Sequence, residues 1–110
     1  MSRQQDVTCV RVRLKPDMLA RVREWAAFVS THRQEALQTL KAEGVEIESV
    51  FLESSVEGDS LIYYMRASSQ REAERIATRS LAAIDAYHHR FKQDAWEKVE
   101  PLELLLDLRS

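Results

Sequence analysis

The stretch "VEIESVFLESSVEGDSLIYYMR", Val45 to Arg66, decides the fold. Its first part, Val45 to Glu53, alternates apolar and polar residues as a strand does. Its last part, Leu61 to Arg66, is a second run of β-branched, aromatic and long apolar side chains. Between them "SSVEGDS" carries Gly58 and Asp59, residue types that favour a turn. Two strands joined this closely form a hairpin, and the hairpin lies in the middle of the chain.

Upstream, "VTCVRVRL" (Val7 to Leu14) is a third strand of period two, with Val10, Val12 and Leu14 on one face and Cys9, Arg11 and Arg13 on the other. From Asp17 to about Glu43 the period becomes 3.6. Met18, Leu19, Val22, Trp25, Ala26, Val29, Ala36, Leu37 and Leu40 form one stripe, which predicts a long amphipathic helix. Asp17 is placed to start that helix and Gly44 to cap its end. Downstream of the hairpin, Ser69 and Glu72 form a capping box. The helical region it opens runs to about Lys98, with a break expected between Ser80 and Asp85. "LELLLDL" (Leu102 to Leu108) then reads as the last strand, with Pro101 at its start.

The order β-α-β-β-α-β predicts an α+β, ferredoxin-like domain. Four antiparallel strands in order 4-1-3-2 carry helices on one face. The chain has 110 residues, enough for one domain, expected over residues 7–108 behind a flexible segment 1–6. Sixteen basic residues against eighteen acidic ones give a net charge of −2, so no electrostatic argument favours nucleic acid. A lone cysteine, Cys9, excludes an internal disulfide and fits a cytoplasmic protein. No apolar run approaches the roughly 20 residues a membrane span needs, and the first residues do not resemble a secretion signal.

The sheet face away from the helices is predicted to hold Cys9, Arg11 and Arg13, with Glu103, Leu105 and Asp107 from the last strand. The second hairpin strand, Leu61 to Arg66, adds Leu61, Tyr63 and Met65, or else Ile62, Tyr64 and Arg66. Strand two presents Ile47 and Phe51 on one side, Val50 and Leu52 on the other. Such a face exposes an apolar patch of the kind that marks interfaces, so a homodimer packed sheet to sheet is expected. Arg11 and Arg13 would then pair with Glu103 and Asp107 across neighbouring strands.

"VRLKP", "VREW", "EALQTLKAEGVEIESVFLE" and "GDSLIYYMRA", followed by "ID", a histidine, "F" and "W", resemble a small uncharacterised bacterial family related to the dimeric α/β-barrel superfamily. That superfamily includes proteins similar to antibiotic biosynthesis monooxygenases. The resemblance covers almost the whole chain. It implies a barrel-like dimer with a ligand cavity between sheet and helices, and it implies no single activity. Haem-degrading relatives use an asparagine on the first strand, then a tryptophan and a histidine. This chain has no asparagine and its histidine pair precedes Trp96, so no catalytic residue carries over.

Several residues are candidates for lining such a cavity. In "AYHHRFKQDAW" (Ala86 to Trp96) a helical spacing of about 100° per residue puts His88 inward with Ile84, Tyr87, Phe91 and Ala95. His89 falls on the flank with Asp85, Lys92 and Trp96, where it is expected to pair with Asp85 one turn earlier. Neighbouring histidines cannot chelate one metal together, which needs i, i+4 spacing, so no metal site is expected. His88 is a candidate acid–base group or, more simply, a hydrogen-bonded core histidine. Arg33 interrupts the apolar stripe of the first helix and is read as an anion ligand, as the partner of an acid such as Glu53, or as a side chain snorkelling to water. His32, Trp25, Tyr63, Tyr64 and Trp96 complete the candidate cavity. Glu46 and Glu48 read as edge-strand protection rather than as a catalytic pair.

Three functions follow from these residues. The first is a homodimer without assigned activity that binds a small hydrophobic or anionic ligand. The second is a cofactor-independent monooxygenase or isomerase. The third is a haem protein with His88 or His32 as axial ligand. No other cofactor is implied.

Overall fold

A computed structural model describes residues 5–110. Strand β1 (Asp6–Leu14) is followed by helices α1 (Leu19–Thr31) and α2 (Arg33–Glu43). The hairpin β2 (Val45–Ser55) and β3 (Gly58–Ala67) comes next, then α3 (Gln70–Arg79), α4 (Ala83–Ala95) and β4 (Trp96–Pro101). The strands form one antiparallel sheet in the order β2-β3-β1-β4. This is the ferredoxin-like α+β arrangement that the hairpin predicts. Residues 1–4 of the N-terminal segment expected to be flexible lie outside the described residues, while Asp6 already belongs to β1.

Local signals explain most boundaries. Gly44 ends α2 at φ 74°, a conformation that costs a residue with Cβ, and its N–H donates to the carbonyls of Leu40 and Lys41. Ser69 Oγ accepts from the Glu72 N–H at 3.1 Å, and the Asp6 carboxylate accepts from the Gln70 N–H at 2.8 Å. Two acceptors thus sit at the positive end of α3. The expected break after α3 falls at Ser80–Ala82.

Three expectations are corrected. Asp17 does not start the helix: it takes φ 60° in the preceding turn, and α1 begins at Leu19. The single long helix is divided at His32, whose ψ of 37° leaves the helical range. The division rephases the second half, so Arg33 and Leu37 of the predicted stripe are exposed.

The last strand is the third correction. It is Trp96–Pro101, not Leu102–Leu108. Lys98, Val99 and Glu100 stand opposite Arg13, Val12 and Arg11, a polar-apolar-polar match that pairs well across strands. Pro101 has no N–H to continue the ladder and sits at the end of this edge strand rather than at its start. The Leu102 N–H still donates to the Cys9 carbonyl at 2.9 Å, and there the pairing stops. Arg13 therefore pairs with Glu100 and Arg11 with Glu53, while Asp107 meets Arg66.

The helix-side core is built on Val12, Leu14, Leu61 and Tyr63 of the sheet, Val22 and Trp25 of α1, and Phe91 and Ala95 of α4. The Trp25 and Phe91 rings stack at 4.5 Å with planes 6° apart, joining α1 to α4. Phe91 is fully buried, so Phe91→Ala is expected to cost about 3–5 kcal/mol in urea-unfolding stability. Ser69→Ala, which removes one cap bond, is expected to cost about 1 kcal/mol in the same assay.

Candidate functional site

Between the helix-side face of the sheet and α2, α3 and α4 lies a cavity of about 320 Å³. β1 and β3 give it Val10, Tyr63 and Met65, and α3 gives Gln70, Ala73 and Glu74. Asp85, His88, His89 and Lys92 line up along α4 at helical spacing, so one helix supplies much of the polar wall. Glu43 enters from the end of α2, Glu48 from β2 and Trp96 from β4. A second lobe of about 200 Å³, bordered by Trp25, Val29, Leu40 and Val50, shares Glu43, Glu48, Asp85 and His88 with the first. Those four side chains form a polar partition between the two lobes.

Glu43, Glu48 and His88 in the partition, and Lys92 beside it, depart from their ordinary protonation behaviour. Burial, reinforced by Asp85 and Glu48, pushes the Glu43 carboxyl up to about 7. Burial also raises Glu48, against the pull of Lys92. Lys92 is lowered by its own desolvation, and the facing Glu48 and Glu43 only partly offset this. Its ammonium lies 4.8 Å over the Trp96 ring, a cation–π contact. His88 is lowered to about 3 by burial, with Lys92 and His89 adding to the effect, and is neutral at physiological pH. The Trp25 indole N–H donates to His88 Nδ1 at 3.1 Å, so the imidazole proton resides on Nε2.

Polar atoms in this region lack partners. Tyr63 is 7% exposed, and among the described residues its hydroxyl makes no hydrogen bond, nor does the buried indole N–H of Trp96 or the buried Oε1 of Gln70. The Tyr63 and Trp96 rings meet edge to face at 5.3 Å without hydrogen-bond geometry between their polar atoms. Burial raises the Tyr63 phenol well above its ordinary range, so it is a neutral donor. A buried polar group without a partner costs about 1–3 kcal/mol.

Of the candidates from the sequence, the structure brings Trp25, Tyr63, His88 and Trp96 together. It separates the other three. Tyr64 is on the opposite face of the sheet, its hydroxyl bonded to the Arg66 guanidinium. His32 stacks on Phe28 at 4.1 Å, with Nδ1 2.9 Å from the Phe28 carbonyl, at the junction of α1 and α2. Arg33 is exposed beside it. His89 lines the cavity, and among the described residues it makes no hydrogen bond to Asp85. Sequence reasoning missed Glu43, Glu48 and Lys92 as cavity groups. Two of them left a signal: Glu48 shares the inward alternation of Val50 and Leu52, and Lys92 lies one helical turn beyond His88.

The chain's sequence matches the model of a family of unknown function, DUF6176, over residues 5–110. The chain belongs to that family. A search of curated proteins gives no match. Among solved structures, the chain is similar to L-rhamnose mutarotase from Formosa agariphila, with TM-score 0.59 and 18% identity over 94% of this chain and 99% of that one. It is also similar to a Nitrosomonas europaea protein assigned as an antibiotic biosynthesis monooxygenase, with TM-score 0.55 and 15% identity over 93% and 89% of the two chains. A Pseudomonas aeruginosa protein, PA3566, gives TM-score 0.57 and 15% identity over 96% of this chain and all of that one. At these identities the likeness shows a shared fold. Among the described residues no helix is long and apolar enough to cross a membrane.

Two pH effects follow. Folded Glu43 holds its proton up to about pH 7, whereas an unfolded glutamate releases it near 4.5. The folded state therefore binds more protons between these values, and this contribution to stability is lost as pH rises through 7. Glu43→Gln is expected to raise stability at pH 8 by about 1 kcal/mol, the half-exposed group being screened, with little gain at pH 4.5. His88 acts in the opposite sense: its contribution is present above about 6.5 and lost as pH falls toward 3. Nitrogen NMR shifts are expected to report neutral His88, protonated at Nε2, down to about pH 4.

Proposed function

We propose that the protein is a cytoplasmic, single-domain homodimer that binds a small neutral molecule rich in hydroxyl groups between sheet and helices. On that molecule it moves a proton as an isomerase does. The observation that carries the reading is the pair of buried, partnerless donors, Tyr63 Oη and Trp96 Nε1, in a cavity also lined by Glu43 and Glu48. A ligand that accepts from the first pair and donates to the carboxylates satisfies both sets. The walls of Trp96, Tyr63 and Met65 suit the apolar face of a ring.

Charge selects among ligand classes. Even with Glu43 protonated, the acids Glu48, Glu74 and Asp85 outnumber Lys92 along the cavity, so an anionic ligand meets repulsion. A carboxyl with a pKa near 7 serves as acid or base at neutral pH, the property that proton shuttling requires. Glu43 has that property, with Glu48 or Lys92 as its complement across the ligand. The likeness in fold to a sugar mutarotase is consistent with this chemistry.

The test is calorimetric titration with neutral sugars and polyols alongside carboxylates of the same size. A neutral compound is expected to bind, and Tyr63→Phe is expected to weaken it at least about tenfold, the cost of one buried hydrogen bond. The same variant should gain stability by up to about 1 kcal/mol, because the partnerless hydroxyl is removed. Preferential binding of carboxylates would overturn the assignment. Light scattering is expected to give twice the 12.8 kDa chain mass at micromolar concentration.

A further inference from the structure

Among the described residues, Lys92 is the one lysine or arginine that lines the cavity. Helical spacing puts it there. It follows His88 by one turn and precedes Trp96 by one turn, on the stripe of α4 that faces the sheet. Lysines ordinarily carry the ammonium out to water on a long stem. The chain's other three, Lys15, Lys41 and Lys98, are exposed in that way. Lys92 is half-buried instead, and its Nζ is held 4.8 Å over the Trp96 ring inside the cavity wall.

Charged and titratable groups face this amine from every element packed around it. Glu48 comes from β2, Glu43 from α2, Glu74 from α3, and Asp85, His88 and His89 from α4 itself. Among the described residues none of the carboxylates closes an ion pair with it. A lysine placed for charge pairing would touch one of them. This one touches an aromatic face and open space, with acids near but not in contact. Its burial lowers its proton affinity, and the acids offset that only in part. More of the amine therefore carries a free lone pair, the form that attacks carbon.

We propose that Lys92 Nζ is a nucleophile that forms a reversible imine with the carbonyl carbon of a small hydroxy-aldehyde or hydroxy-ketone. The inference rests on the hydroxyl-rich ligand read above and names that ligand's reactive group. The amine lone pair bonds to the carbonyl carbon, the π pair of C=O moves to oxygen, and that oxygen takes the Glu43 proton. The cationic nitrogen passes one proton to the Glu48 carboxylate, which leaves a neutral carbinolamine. Glu48 returns this proton to the new hydroxyl, which departs as water while the nitrogen pair closes the C=N bond. Amine, carbonyl compound and the Glu43 proton go in; iminium, water and the Glu43 carboxylate come out. Nothing is oxidised or reduced. The positive charge ends on the nitrogen that the Trp96 ring already faces, where the π cloud stabilises it.

Reductive trapping on the full chain tests this. The protein is incubated at neutral pH with glyceraldehyde, a small hydroxy-aldehyde, and sodium cyanoborohydride, which fixes an imine as a stable secondary amine. Peptide mass mapping then compares the lysines within one sample. Lys92 is expected to be labelled at least about tenfold faster than Lys15, Lys41 or Lys98. The ratio of Lys92 to Lys41 is expected to fall as pH rises above about 7, where Glu43 gives up its proton. A ratio that does not fall overturns the part given to Glu43. Equal rates at Lys92 and Lys41, or no label at Lys92, overturn the nucleophile. Lys92→Arg, which keeps a cation, and Lys92→Met, which keeps the stem, are both expected to lose the label at that position with the thermal midpoint retained. Calorimetry with polyols separates the two readings. Polyol binding with Lys92 unlabelled overturns the covalent step and leaves the binding site standing. Labelled Lys92 without polyol binding overturns the ligand class and upholds the nucleophile.

Discussion

The position of Trp25 is the constraint on which the rest of the molecule depends. Its ring stacks on Phe91, and its N–H reaches His88 one turn earlier on the same helix. One side chain of α1 thereby fixes both the distance and the rotation of α4. With α4 held, Asp85, His88, His89 and Lys92 face the sheet across a gap instead of closing onto it. Packing and site chemistry here are one arrangement: the stack supplies apolar burial, and the hydrogen bond satisfies the histidine and sets its tautomer.

The polar partition is the costly part of the structure. Carboxylates and an amine facing a half-dry cavity would be stabilised by direct pairing, yet among the described residues Lys92 forms no ion pair with Glu43, Glu48 or Asp85. Burial shifts Glu43 and Glu48 up and Lys92 down, and attraction between them only partly offsets it for Glu48 and Lys92. A fold selected for stability alone would fill such a space with leucine and valine. Keeping polar groups apart and partly desolvated is what binding sites do.

The sequence made the fold legible because its punctuation and periods agree. Gly44, Gly58 and Ser69 mark ends and turns, and the period changes from two to 3.6 between them. The extent of the last strand was not legible from pattern. Ala95, Trp96 and Glu97 continue a helical stripe acceptably, and "LELLLDL" alternates like a strand. Which of the two segments pairs with β1 is set by the match of Lys98-Val99-Glu100 to Arg13-Val12-Arg11 and by the missing N–H of Pro101, both of them nonlocal facts. The site divides the same way. Trp25, Tyr63, His88 and Trp96 declare themselves as inward aromatic and imidazole groups. Arg33 misleads because a break at His32, invisible to a wheel drawn through it, turns the next helix by a fraction of a turn. Glu43 stays hidden because it is the last residue of a helix, where periodicity says nothing about which way a side chain leaves.

Glu43 owes its place in the cavity to the residue after it. Gly44 reverses the chain with a left-handed backbone, and its carbonyl then accepts from the Ser68 N–H at 3.0 Å, lacing the end of α2 to the start of the α3 segment. The carboxyl that shifts to about 7 is thus carried on a rigid corner, not on a mobile loop. A disturbance anywhere along that lace, at Gly44, Ser68 or the α3 cap, would move the acid relative to Glu48 and Asp85. The burial that raises the Glu43 carboxyl, and its closeness to Glu48 and Asp85, are therefore properties of that corner and not of the helix that ends there.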